Sequence, residues 1–360
     1  MTSSQIQRCF SRFIVGLVAF AGFVAVGGEI TGEQARRVLE FLESADESRR
    51  AATHRASRER GEDFKPQYVF LLERAWNHHA REFERAIHGS LDPRSPAGQI
   101  PRVWSDWVNA AADARRHIQT DHNKEQRRLD EMDRLFGEAE KHWRTVVRTA
   151  RTLSGDDPVA ARLEAAAAAL REIHGELHWA DPRGYPGGEL TLEQLERRLA
   201  LGPRAGEYFI ARQGILDAVG ALEAANEANN ALSWADRTQK TFASILNGRR
   251  AVVGLRPLYL NEKLSLACYR HSEEMERLGY FAHESPVEEN RTFGLRARRA
   301  GFHGASGECI FMGSSDPEAA ERAWWYSCGH RLINYATGPN TLGIGVHNRH
   351  WTLNTGRVSR

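Results

Sequence analysis

The clearest pattern of apolar positions lies between Trp104 and Leu153, where apolar residues recur at steps of four and three. This spacing places them along one face of a helix. From Leu129 onward every position of the seam is apolar, and it includes Phe136 and Trp143. Three polar residues interrupt its first half: Arg115, His122 and Glu125. We predict either one weak coiled-coil helix or two helices joined through a polar turn. We expect the seam to form a buried bundle face, with an oligomeric coiled coil as the alternative.

Helix start and stop signals organise the remainder of the first 240 residues. Thr31 and Gln34 have the spacing of a capping box, which predicts a helix start. The segment PRGYPGG, residues 182–188, is a helix breaker, and a polar, alanine-rich helical stretch runs from Glu207 to about Lys240. We therefore predict a helical bundle or coiled-coil region over 30–182, followed by a breaker and helical connector over 183–240.

The N-terminus has the pattern of an export signal. Arg8 and Arg12 precede an apolar run from Phe13 to Val26, and small residues follow it. The run is shorter than the roughly 20 residues that span a bilayer, so an uncleaved anchor is the less favoured alternative. We predict a signal peptide over 1–27, and a secreted or periplasmic, extracellular location after its cleavage.

Charge and cysteine content narrow the class of protein further. The 360 residues contain 49 Lys and Arg against 47 Asp and Glu, a formal net charge of +2. So balanced a chain lacks the basic surface that grips a phosphate backbone, and we expect no nucleic acid partner. Cleavage of the signal peptide would remove Cys9 and leave three cysteines, which is too few for a disulfide-based scaffold.

The stretch from Ile245 to Pro286 carries the marks of a known family. Asn247 and Arg250 lie late in one predicted helix, and Asn261 has the position of an N-cap for the next. The apolar face of this second helix comprises Leu264, Ala267, His271, Met275 and Leu278. The stretch resembles the opening of bacterial CAP-superfamily domains (cysteine-rich secretory, antigen 5, pathogenesis-related).

Further marks follow in the family's order over about 115 residues. They comprise Arg291, Gly301-Phe302, Gly307-Glu308, Trp324, Ser327, Gly329-His330-Arg331, Gly343 to Val346 and Trp351-Thr352. The resemblance implies an alpha-beta-alpha sandwich over 241–358, with strands at 341–346 and 350–354. With the helical region before it, the expected fold class is α+β.

The resemblance also implies a polar cleft. The family builds this cleft from two histidines and two glutamates, and three of these positions match here as His283, Glu308 and His330. Ser327 stands where many eukaryotic members have the second glutamate. The three matching residues are a chemically sensible set for a divalent metal such as zinc, with an open position for water. A hydrogen-bonded polar cluster without metal is the alternative, and a Ser327-His330-Glu308 nucleophilic arrangement is a weaker one.

Two further expectations concern residues near the cleft. Arg291, Arg296, Arg298 and Arg299 form a local basic patch on a predicted short helix, which is ordinarily a solvated face. His271 lies on the apolar helical face, and we expect a packed core histidine.

Two cysteines stand at positions where the family has other residues. Cys309 and Cys328 each adjoin a cleft residue, Glu308 and Gly329-His330, which must converge if the cleft forms. We therefore expect a Cys309–Cys328 disulfide, with Cys268 left as a reduced, buried thiol.

The function implied by the resemblance is a binding module for a lipid-like, apolar or envelope-derived ligand. The alternatives are a metal-dependent hydrolase at His283, Glu308 and His330, and a structural envelope protein that self-associates through its helical region. The absence of the second glutamate favours binding over catalysis.

Overall fold

The computed structural model describes residues 88–121, 125–153, 159–161 and 203–358. Its chain divides into two compact units, one of residues 1–102 and 152–212, the other of residues 103–151 and 213–360. The expected signal peptide, the Thr31 capping box and the breaker at 182–188 lie outside the described residues. None of the helices in the described ranges is both long and apolar enough to cross a membrane.

The described residues of the first unit that precede Ile100 form a tight turn. Ser95 Oγ donates to the Ser90 carbonyl at 2.6 Å and accepts from Gly98 N at 3.0 Å. Leu91, Ala97 and Ile100 are buried around this turn. The hydroxyl therefore satisfies backbone groups that precede the helix beginning at Ile100.

The apolar seam forms two helices. Helix α1 spans Ile100–Ile118 and α2 spans Gln126–Leu153. Phe136 and Trp143 are 9% and 7% exposed, which confirms the predicted burial. The other buried seam residues of α2 are Met132, Ala139, Val146, Ala150 and Leu153.

The polar, alanine-rich stretch is interrupted before it reaches the sheet-containing region. Helix α3 spans Pro203–Asn230, and α4 begins afresh at Arg237 and runs to Val252. The expected continuous stretch to Lys240 was wrong at this point, because Asp236 caps α4 in a capping box with Gln239.

The sheet has four strands in the order β1-β3-β4-β2. Strand β1 is Tyr259–Leu260, β2 is Ala305–Met312, β3 is Thr341–His347 and β4 is His350–Gly356. Only the β1–β3 pair is parallel. The strand order places β2 at one edge of the sheet. Strands β3 and β4 confirm the strands predicted at 341–346 and 350–354.

Helix α5, Glu262–Leu278, packs on one face of the sheet against β3 and β4. Asn261 Oδ1 accepts from Leu264 N at 3.1 Å, so the predicted cap is present. Two glycines of β3 allow a close approach. A Cβ at Gly345 would lie 1.9 Å from Tyr269 N, and one at Gly343 would lie 2.5 Å from Leu264 Cγ. The backbone of α5 thus rests directly on β3.

Helices also cover the opposite face, which confirms the predicted alpha-beta-alpha sandwich. Helices α7, Pro317–Trp325, and α8, Cys328–Asn334, lie on this face, whereas α6, Phe293–Arg299, packs against α5 and β2. Helices α7 and α8 pack on β2, and α4 packs on β3 and α7. Three aromatic side chains, Phe242, Trp324 and Trp351, pack edge to face or tilted within this layer.

Helices α1 and α2 pack within the same unit as the sandwich. Trp107 Nε1 donates to the Val252 carbonyl at 3.0 Å, and Arg115 Nη1 donates to the Val253 carbonyl at 3.2 Å. Arg115 interrupts the apolar seam because its guanidinium binds the C-terminal end of α4.

The contact between α2 and α7 combines apolar and polar groups. Asp133 accepts from Trp325 Nε1 at 2.8 Å and from the Tyr326 hydroxyl at 3.0 Å. The guanidinium of Arg249 lies 4.5 Å from the Phe136 ring centroid and 4.1 Å from that of Trp325. The seam residue Phe136 is therefore used inside the chain, against the sandwich.

Candidate functional site

The loop after α5 is held by a buried carboxylate. Glu274, which is 4% exposed, accepts hydrogen bonds from the Tyr280 hydroxyl at 2.7 Å, from Asn290 Nδ2 at 2.6 Å and from Ser285 Oγ. Burial acts to raise the pKa of Glu274, but these three hydrogen bonds outweigh it and the pKa is lowered. An ionised carboxylate thus closes residues 280–290 onto the helix.

His271 packs beneath the same loop and confirms the expectation of a core histidine. Its side chain is almost fully buried, and Nε2 lies 3.2 Å from the Ala282 carbonyl oxygen. Because a carbonyl oxygen only accepts, Nε2 carries the proton. Burial, followed by the positive charge of Arg296, lowers the pKa of His271 to about 4. The ring is therefore neutral at neutral pH.

Arg296 joins this loop to the edge strand. Its Nη2 lies 2.6 Å from Glu308 Oε2, and the side chains of the pair are 4% and 2% exposed. The guanidinium also donates to the carbonyl oxygens of Asn290, Arg291 and His283 at 2.7, 3.2 and 3.1 Å. The expected solvated face was wrong for Arg296, which is the buried member of the basic patch.

His283 lies on the outer side of this ion pair. Its Nδ1 is 3.1 Å from Glu308 Oε1, while its side chain is 54% exposed. A carboxylate paired with Arg296 accepts, so Nδ1 donates, and in the neutral ring Nε2 then presents a lone pair away from Glu308. Both carboxylate oxygens of Glu308 are therefore engaged, Oε2 by Arg296 and Oε1 by His283. The arrangement is an exposed imidazole whose orientation is set by two buried charges.

His330 lies near this group without joining it. Burial, followed by the charge of His283, lowers its pKa. The ring packs 6.2 Å from Trp324, and its buried Nδ1 has no hydrogen-bond partner in the described part of the chain. The structure therefore brings His283 and Glu308 into contact, with His330 beside them but not bonded to the carboxylate.

Ser327 is separate from this cluster. It is the residue before α8, where its side chain makes no cap hydrogen bond, and its backbone N–H donates to the Trp324 carbonyl at 3.2 Å. No hydrogen bond links Ser327 to His283 or His330 within the described residues. A Ser327-His330-Glu308 nucleophilic arrangement is not assembled.

The predicted zinc set does not have the geometry of a metal site. Within the described ranges, no group of three or more His, Cys, Asp or Glu side chains could hold a metal ion. The physical reason is the occupation of Glu308, since one oxygen pairs with Arg296 and the other accepts from His283. A divalent cation there would face a buried guanidinium. These residues do not fit zinc.

The three cysteines of the sandwich are buried, and none of them forms a disulfide. Cys268 Sγ donates to Asn354 Oδ1 at 2.9 Å, as befits the predicted reduced thiol. Cys309 Sγ points to Asn334 Oδ1 at 3.5 Å, at the end of α8, whereas Cys328 begins that helix. The six-residue separation corresponds to about 9 Å along the axis. The structure therefore does not join Cys309 to Cys328 in the expected disulfide.

The residues missed by sequence reasoning are those that hold the site together: Glu274, Tyr280, Ser285, Asn290 and Arg296. Tyr280, Ser285 and Asn290 reach Glu274 across 6, 11 and 16 positions of the chain. The sequence of α6 carried no signal that separates Arg296 from the other arginines, since it shares a helical face with the exposed Arg299.

Comparison with known proteins agrees with this fold. The family model of the cysteine-rich secretory protein family, CAP, matches residues 243–352. The uncharacterized protein YkwD of Bacillus subtilis (strain 168) is 32% identical over 131 residues, which are 34% of this chain and 47% of that protein. The uncharacterized membrane protein YlbC of the same organism is 29% identical over 117 residues, 32% of this chain and 34% of that protein.

A solved structure is also similar in sequence. It is the crystal structure of an extracellular protein containing a SCP domain from Bacillus anthracis str. Ames, 29% identical, covering 34% of this chain and 40% of that chain with a TM-score of 0.32. The similarity thus spans less than half the length of YkwD or YlbC. The family model lies within the part of the chain that folds as the sandwich, and residues 243–352 are a CAP domain of the bacterial type, C-terminal to a helical region.

Proposed function

We propose that this chain is an exported protein whose CAP domain is a binding module for an apolar or envelope-derived ligand. The observation that carries the proposal is the exposed His283 ring, held by the buried Glu308 and Arg296. A ligand that reaches this ring meets a fixed hydrogen-bond acceptor at Nε2. Because the ring is already oriented, little conformational entropy is lost on binding.

The same contacts favour binding over hydrolysis. A carboxylate that acts as a general base or metal ligand needs an available oxygen, and both oxygens of Glu308 are engaged. Exposed apolar side chains of the sandwich offer apolar contacts beside this hydrogen-bonding site. Phe281, two residues before His283, is 45% exposed. An apolar ligand with one polar end is the chemistry that suits these two residues.

Export is supported by the N-terminal pattern and by similarity. Arg8 and Arg12 precede the apolar run Phe13 to Val26, and the similar Bacillus anthracis protein is described as extracellular. Fusion of residues 1–40 to a phosphatase that is active only outside the cytoplasm tests this. Enzyme activity with the native segment, and its loss when Val18 is changed to Arg, is the expected result. Equal activity of the two fusions would contradict export.

Binding is tested with the full chain and a dansyl-labelled long-chain alcohol, whose hydroxyl can donate a hydrogen bond to Nε2. Replacing His283 with Ala removes the acceptor, and loss of such a hydrogen bond weakens binding by about tenfold. His142→Ala on α2 is the matched control, since it removes a histidine remote in sequence from the loop. No saturable fluorescence change with the unmodified chain, or equal affinities of the two variants, would refute the proposal.

A further inference from the structure

A polar pocket lies where α3 ends and α4 begins, and His283 is not among its lining residues. It has a volume of about 450 Å³, and we call it the Arg237 pocket. It is lined by Asn230, Arg237, Lys240, Thr241, Ser244 and Ile245. Its size falls within the roughly 300 to 1,000 Å³ of small-molecule sites. The lining contains two cations, two hydroxyls and an amide, but no carboxylate.

The two cations of this pocket are uncompensated. Within the described residues, the side chains of Arg237 and Lys240 form no ion pair and no hydrogen bond. The carboxylate next to Arg237 in sequence, that of Asp236, serves instead as the N-cap of α4 and accepts from Gln239 N at 2.8 Å. Cations gathered without a neutralising acid attract anions.

Helix α4 presents these donors together. Arg237, Thr241 and Ser244 have the spacing of one helical face, and Lys240 lies one turn from Arg237. Their side chains supply the guanidinium fork, an ammonium group and two hydroxyls to one volume. So many donors exceed what one carboxylate accepts, whereas a phosphate group offers more oxygens and matches the arginine fork.

We propose that the Arg237 pocket binds a phosphate-bearing ligand. Arg237 and Lys240 contact the phosphate oxygens, Thr241 and Ser244 complete their hydrogen bonding, and Ile245 packs against the carbon part of the ligand. The ligand is a phosphate ester, either free in solution or as the headgroup of a lipid. This site is separate from the His283 cleft, so the inference does not depend on the function proposed there.

The experiment compares two variants of the full chain that lose the same charge. Arg237→Gln with Lys240→Gln neutralises the pocket, and Arg256→Gln with Arg270→Gln neutralises two exposed arginines elsewhere in the unit. All four side chains are exposed or half-buried, so we expect both variants to fold, which circular dichroism verifies. Calorimetric titration with glycerol phosphate is the first arm, and titration with glycerol is its uncharged control. Sedimentation with vesicles of phosphatidylglycerol in phosphatidylcholine is the second arm, against phosphatidylcholine alone.

We expect glycerol phosphate to bind the unmodified chain and the Arg256/Arg270 variant, and to bind the pocket variant about tenfold or more weakly. Loss confined to the vesicle arm would assign the phosphate to a lipid headgroup, and loss confined to the soluble arm would assign it to a free ester. Absence of binding in both arms would overturn the inference, as would equal losses in the two variants. Binding that is lost in His283→Ala but kept in the pocket variant would also overturn it, since the anion would then occupy the cleft.

Discussion

Replacement of Arg296 with Met tests the ion pair on which the His283 site is built. Methionine fills a similar volume but removes the charge and all four hydrogen bonds of the guanidinium to Glu308 and three carbonyl oxygens. The Glu308 carboxylate, 2% exposed, would then be buried without its cation. Removing one member of a buried pair costs about 3 to 5 kcal/mol of the free energy of unfolding.

Neutralising the other member of the pair, Glu308, should lower the free energy of unfolding by less. In Glu308→Gln the amide oxygen still accepts a hydrogen bond, and the guanidinium keeps its three carbonyl acceptors. We expect a loss of about 1 to 3 kcal/mol. In the double variant no unpaired carboxylate remains, so its loss should fall below the sum of the single losses by about 1 kcal/mol or more.

Urea unfolding at pH 7, monitored by circular dichroism and tryptophan fluorescence, measures the free energies of unfolding of the two single variants and the double variant. Arg298→Met is the matched control on the same helix, because that arginine is exposed and its replacement should change stability by less than about 0.5 kcal/mol. If Arg296→Met costs no more than this control, or if the two changes are additive, then the pair does not hold the site.

Three further results are expected. Phe136→Ala should lower the free energy of unfolding by about 3 to 5 kcal/mol, since it removes a buried ring from Trp325 and Arg249; urea midpoints near those of the unmodified protein would show that α2 does not pack on α7. The unfolded chain protonates His271 near 6.5 and the folded chain only near 4, so stability should fall as the pH drops through this window, by up to about 3 kcal/mol. When urea midpoints are plotted against pH, their fall toward low pH should be smaller in His271→Phe than in the unmodified protein. An unchanged slope would contradict the effect of burial on His271. The thiols of Cys268, Cys309 and Cys328 should alkylate slowly in the folded protein and fully in urea, because all are buried; a disulfide-linked peptide in a non-reducing digest would refute this.

Sequence reasoning was most accurate where the interactions are local. The Asn261 cap lies three residues from the N–H it binds, and the strands at 341–347 and 350–356 are adjacent in the chain. The contact between His283 and Glu308 was reached by resemblance alone, since 25 positions separate them.

The errors have physical reasons that the sequence alone does not contain. Arg296 was grouped with exposed arginines because charge patterns describe a helix face without its neighbours, and only the packing of α6 on β2 turns this side chain toward Glu308. That same salt bridge removes Glu308 from the expected zinc set. The expected disulfide rested on the convergence of Glu308 and His330, which was taken to bring Cys309 and Cys328 together. In the structure Cys309 contacts the last residue of α8, whereas Cys328 is the first residue of that helix.

The contact between α2 and α7 has a consequence for how the protein is made. Asp133 leaves the ribosome 192 positions before Trp325, which completes the interface. At about 5 to 20 residues per second, some 10 to 40 s pass between the two. During that interval the apolar face of α2 has no sandwich to cover it. A newly made chain therefore cannot form this contact until α7 is synthesised, and until then the face of α2 that packs on α7 stays available to chaperones.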